Sequence, residues 1–146
     1  MARFSGGWRT TGAGSTTLPI GGLTATAAVR PRLREVSVTN TTAVAMAMAL
    51  RRITALGTAG TGQAEIYEDD ESQTAIATLL DTWTVTPTFV TGNLRTITLG
   101  AAVGSGVIWT FGENGLEIPT GTGSGIVLVP LVGTGQICDV SFSWSE

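Results

Sequence analysis

Histidine and lysine are both absent from the 146 residues, cysteine and tyrosine occur once each, and only 13% of positions are charged. Without histidine or lysine there is no Ser-His-Asp triad, no histidine-ligated metal, no Schiff-base lysine and no phosphate-loop lysine. Cys138 stands alone, so neither an internal disulfide nor a cysteine-based metal cluster can form. The apolar runs fall well short of the roughly 18 residues that cross a bilayer. Residues Met1 to Gly12 contain no apolar core segment after Arg3, so no secretory signal is expected. Acid–base work by paired carboxylates survives this elimination, with Glu65, Glu68, Asp69, Asp70, Asp81, Glu113 and Glu117 as candidates. The sequence does not show which of them converge in space, and neither an enzyme nor a cofactor is expected. The acidic run Glu65 to Glu71 lacks the D-x-[DN]-x-[DN]-G order of a calcium loop and reads as a solvated turn.

What is present points to a packed β protein. Twenty glycines and few charges would suggest disorder in an apolar-poor chain, but 42% of residues are hydrophobic and the mean hydropathy is +0.30. A chain of this length folds as one domain and removes roughly two-thirds of its unfolded surface from water. Apolar residues recur with a period of two, the spacing that sends alternate side chains to opposite faces of a strand. Arg34 to Ile53 reads as two strands hinged at a turn, Asn40-Thr41-Thr42, and from Val44 the even positions are Val, Met, Met and Leu while the odd ones are Ala. Cys138, Val140, Phe142 and Trp144 alternate with Asp139, Ser141, Ser143 and Ser145. Eight or nine such segments, separated by Gly/Thr/Asn turns, predict an antiparallel β-sandwich. A jelly roll is preferred over an Ig-like sandwich or a barrel.

Several local expectations follow. Residues 1–16 lack periodicity and read as an extended N-terminal arm ahead of a sandwich domain over 17–146. Leu18 to Val29 reads as a weak strand broken at Gly21-Gly22, and Asn114-Gly115 as a hairpin turn. Pro130 inside the apolar run Ile126 to Val132 suggests an edge strand or a bulge. One short helix is expected from Asp70 as N-cap, with Ile76, Leu79, Leu80 and Trp83 on one face.

Charge is segregated along the chain. Seven of the eight arginines precede residue 53 and ten of the eleven acids follow residue 64. Arg3, Phe4, Trp8 and Arg9 are candidate anchors of the arm on a partner. Arg30, Arg32 and Arg34 share a parity and form a candidate basic row. With little aromatic interleaving and a net charge of -3, that row reads as a salt-bridging surface and not as a nucleic-acid site. Trp83 and Trp109 are in phase with apolar neighbours and read as core. An exposed pair would instead make a carbohydrate-stacking platform, which keeps a carbohydrate-binding module as the alternative.

The opening Met1 to Gly14, the strand ending at Asn40-Thr41-Thr42, the block Gly106 to Gly112 and the ending Cys138 to Glu146 together resemble a family of small virion-associated proteins of tailed bacteriophages. The resemblance implies a non-enzymatic structural role as a capsid decoration or cement protein, or as a tail component. Its implied partners are the major capsid protein and copies of itself, on the capsid surface of particles made in the host cytoplasm. Proteins of this kind are often trimers. This chain lacks the Cys…Trp…Cys pattern of Ig-type cement proteins, so neither trimerisation nor Ig topology carries over.

Overall fold

The computed structural model describes residues 1–69 and 73–146. Within these residues the chain forms β1 (Arg3–Arg9), β2 (Gly21–Thr24), β3 (Arg32–Asn40), β4 (Met46–Ala55), β5 (Gly62–Gln63), β6 (Ile66–Tyr67), β7 (Thr78–Asp81), β8 (Thr88–Phe89), β9 (Arg95–Leu99), β10 (Gly106–Thr110), β11 (Leu116–Glu117), β12 (Gly125–Pro130) and β13 (Cys138–Ser145). The strands make two sheets. The first runs β10-β3-β13-β1-β6, with β11 also on β3; the second runs β5-β7-β2-β12-β4-β8, with β9 also on β4. Every pairing is antiparallel. The protein is an all-β, two-sheet antiparallel sandwich.

Alternation decides which side chains fill the space between the sheets. Val36, Val38, Val140, Phe142 and Trp144 of the first sheet meet Leu23, Met48, Leu50, Leu79, Ile126 and Leu128 of the second, all buried. Each fully buried aliphatic side chain contributes about 1.5–3 kcal/mol of transfer free energy, so this layer dominates the stability of the fold. The bulky face expected of Met46, Met48 and Leu50 is the one that enters the core. The opposite, alanine face is also covered at Ala49.

A smaller cluster of Ile53, Trp83 and Val127 covers the outer face of the second sheet. It explains why β12 is apolar at nearly every position. The strand lies centrally between β2 and β4 and is buried on both faces, so it is not an edge, and Pro130 simply ends it. The glycine pair in β2 likewise does not break the strand. A Cβ on Gly21 would lie 3.0 Å from the Trp8 ring on the inner side, and one on Gly22 would lie 3.1 Å from the Trp83 ring on the outer side. Two adjacent glycines thus make room for an indole on each face of the sheet.

Three further expectations are corrected. Residues 3–9 are not an arm: β1 lies between β13 and β6, paired with β13 from Arg3↔Ser145 to Arg9↔Asp139. Phe4, Gly6 and Trp8 alternate inward, a pattern that the small Gly6 disguises in the sequence. The helix does not form among the described residues; Leu79 and Leu80 fall in β7 and point to opposite faces. Pairing with β2 satisfies the backbone of this threonine-rich stretch and overrides the helical spacing. The expected cap, Asp70, lies outside the described residues. Lastly, Asn114-Gly115 does not join a hairpin, because β10 and β11 pair successively along β3 and not with each other.

Candidate functional surface

The residues expected to bind partners are engaged within the chain. Phe4 is 2% exposed and stacks on Trp144 with ring centroids 5.7 Å apart. Trp8 stacks on Phe142 at 5.8 Å, and its indole Nε1 donates to Asp81 Oδ1 at 3.2 Å. Arg9 makes a two-pronged contact with Asp139, at 2.7 and 2.9 Å, which holds that carboxyl below its ordinary range. Arg3 is exposed. Its backbone amide donates to Asp69 at 3.0 Å.

The basic row also turns onto its own chain. Arg30 and Arg32 reach Glu117 at 3.4 and 3.1 Å, and Arg34 donates to the Glu113 carbonyl at 2.8 Å. Arg52 joins them by donating to the Glu117 carbonyl at 2.8 Å. Four guanidinium groups therefore hold the turn and short strand that follow β10. The charge segregation in sequence is partly erased in space, since the early arginines and late acids are each other's partners.

No free aromatic platform results from the two tryptophans. Trp83 is 1% exposed, with its Nε1 donating to the Leu56 carbonyl at 2.7 Å. Trp109 is half-buried against the core. Asp81 is a buried carboxylate that serves as a structural acceptor. Burial raises its pKa, but hydrogen bonds from the Thr11 hydroxyl, the Thr82 backbone, the Trp8 indole and the Thr11 backbone outweigh that and hold it below the usual value. Cys138 is inert: burial, and then the Asp139 charge, push its thiol pKa up to about 12.

The outer face of the first sheet is polar and open. Ser37, Thr39 and Ser141 surround a shallow depression of about 370 Å³ over Gly7, where the Ser37 and Ser141 hydroxyls lie 2.6 Å apart. Its titratable lining is the Arg9–Asp139 ion pair.

The more distinctive surface lies at one end of the sandwich. Four connections meet there: residues 10–20 between β1 and β2, 41–45 between β3 and β4, 100–105 between β9 and β10, and 131–137 between β12 and β13. None of them contains a charged residue. Main-chain bonds lace them together, as in Gly135 to Gly14, Thr41 to Ile137 and Gly104 to Asn40.

Asn40 is the node of this end. It is fully buried, its amide donates to the Ser105 carbonyl at 2.7 Å, and its carbonyl accepts from Gly104 at 2.8 Å. Its side-chain Nδ2 donates to the carbonyls of Val44 and Gly100 at 2.7 and 3.3 Å, and its Oδ1 accepts from the Thr42 amide at 3.0 Å. One buried amide thus ties two loops to the end of β3, and Thr42 carries the link to Gln136 at 2.9 Å. The tips held in place this way are apolar: Val44 is 53% exposed, Val103 71% and Val132 74%, with Ala43, Ala45, Ala101 and Ala102 exposed beside them.

Sequence reasoning placed a turn at Asn40-Thr41-Thr42 but missed this surface. The signal was available as four separate stretches free of charge, which only the topology brings to one end. Fold and surface together define a two-sheet β-sandwich with an uncharged, apolar-tipped loop end. No family model, curated protein or solved structure matches the chain.

Proposed function

We propose that the chain is a non-catalytic structural protein of a tailed-phage virion, a head decoration protein that seats its uncharged loop end on the major capsid protein. The observation that carries this reading is the loop end itself, in which exposed Val44, Val103 and Val132 are presented on a hydrogen-bonded scaffold with no charge in any of the four loops. Such a surface loses little on desolvation, and its contact energy is insensitive to salt. Repetition over many copies on a shell converts a modest contact into firm attachment.

The strand order supports reading the sandwich as a jelly roll. Taken in chain order, β1, β2, β3, β4, β9, β10, β12 and β13 divide into the rows β1-β13-β3-β10 and β2-β12-β4-β9, the arrangement of two interlocked Greek keys. That architecture is used by capsid proteins, and the resemblance of the chain's opening and ending to small virion proteins points the same way. The fold alone does not select the function.

The test uses the full chain carrying Val44→Glu, Val103→Glu and Val132→Glu together, mixed with purified undecorated heads. Binding should fall by at least tenfold while the melting temperature stays within a few degrees of the parent. Full occupancy by the triple variant would refute the loop end as the contact. Labelled parent protein found on tails and not on heads would replace the decoration role with a tail role.

A further inference from the structure

The far edge of β10 lacks the usual protection. Edge strands are normally blunted by lysine, proline, a bulge or an inward charge, because their free main-chain groups invite another strand. Gly106-Val107-Ile108-Trp109-Thr110 has none of these, and its ladder with β3 runs without a register shift. Among the described residues, no strand pairs with its other side. The amide of Phe111 and the carbonyl of Ser105 both bond toward β3, at 2.9 and 2.7 Å. By alternation, the amides and carbonyls of Gly106, Ile108 and Thr110 point away from β3.

We propose that β10 pairs with β10 of a second copy about a two-fold axis at Ile108, joining the two first sheets into one continuous sheet. A strand placed antiparallel to itself is self-complementary, which is the condition for an isologous contact. In this register Ile108 faces its symmetry mate and Gly106 faces Thr110 of the other copy, each giving and accepting one main-chain bond. Ile108, 64% exposed on the outer face, is placed beside its counterpart and loses water.

Charge favours a copy as the occupant. The end of β10 near Phe111 carries Arg95 over that ring at 5.3 Å and Arg34 bonded to Glu113. The other end runs into the uncharged loop 100–105. The two-fold sets each charged end against the other copy's neutral end, so no like charges meet. The same contact covers the flank between β9 and β10, where Ile97, Val107 and Trp109 are only half-buried. The pairing does not depend on the virion reading, since it involves the chain alone.

Sedimentation equilibrium of the full chain should show the mass rising with concentration from 15.0 kDa toward twice that value. Ile108→Lys puts two like charges beside the axis, and Ile108→Pro removes only an outward amide. Each should weaken association by at least tenfold with the β-sheet circular dichroism retained. Ile108→Cys should crosslink to itself under mild oxidation, because residues in a hydrogen-bonded pair sit about 5.5 Å apart at Cα, within disulfide range. Exposed Thr54→Cys on β4 should not crosslink. A parent chain that stays at 15.0 kDa to millimolar concentration, or an Ile108→Cys variant that crosslinks no better than Thr54→Cys, would overturn the proposal.

Discussion

Replacing Asn40 by alanine tests whether one buried amide organises the loop end. The substitution removes the Nδ2 bonds to Val44 and Gly100 and the Oδ1 acceptor of the Thr42 amide and hydroxyl. The losses are unequal. Gly100 keeps the Ser105 hydroxyl as a donor at 2.8 Å, and the Thr42 hydroxyl keeps Gln136 at 2.9 Å. The Val44 carbonyl and the Thr42 amide are left without these partners. At about 1 kcal/mol for each hydrogen bond lost this way, the expected destabilisation is about 2 kcal/mol. Urea unfolding should show a lower midpoint with an unchanged slope, since the buried area of the sandwich is the same. Hydrogen exchange should rise at Thr42, Gly104 and Ser105 before it rises in β12. Asn40→Asp should lose as much or more, because it replaces the Nδ2 donor with a charged acceptor facing two carbonyls. A change below about 0.5 kcal/mol, or exchange that rises uniformly across both sheets, would refute the node.

Two other perturbations probe Asp81 and β1. The depressed Asp81 pKa contributes stability that is fully present above the unfolded-state value of about 3.9 and is lost as the pH falls through the lower folded value. Asp81→Asn should therefore lower the melting temperature at pH 7 and narrow its gap to the parent below pH 4; a gap independent of pH would show that Asp81 does not act through its charge. Deleting residues 2–9 removes a strand with seven register pairs to β13 and takes Phe4 from the core. The truncated chain should fail to give a cooperative thermal transition, and a truncation that melts like the parent would restore an arm.

The period-two pattern made the strand class legible wherever bulky and small residues alternated without interruption. Cys138 to Ser143 is the clearest case, with Cys138, Val140 and Phe142 buried and Asp139, Ser141 and Ser143 partly exposed; Trp144 is buried as its spacing requires, but Ser145 is buried as well. Arg34 to Ile53 was legible as two strands about a turn at Asn40, and these are β3 and β4. Alternation failed where glycine stands at a strand position that a bulky side chain from elsewhere covers, on either face of the sheet. At Gly6, Gly21 and Gly22 the missing side chain is the space occupied by Leu79, Trp8 and Trp83. A local pattern cannot show that the blank is filled from another strand. The helical spacing at Ile76 to Trp83 failed for a related reason, because short amphipathic patterns are decided by whichever neighbour supplies the hydrogen bonds.

By residue type and spacing the chain was committed to β structure and to the absence of histidine, lysine and paired-cysteine chemistry. Those properties are local or additive, and residue type and spacing are enough to determine them. Tertiary structure decided that β1 is an inner strand, that the arginine row closes on Glu113 and Glu117, and that four uncharged loops share one end. It also decided that, among the described residues, β10 is left as an open edge. Each depends on which distant strands become neighbours, and that is set by the closure of the two sheets around one core, to which every residue contributes and no single segment carries the answer.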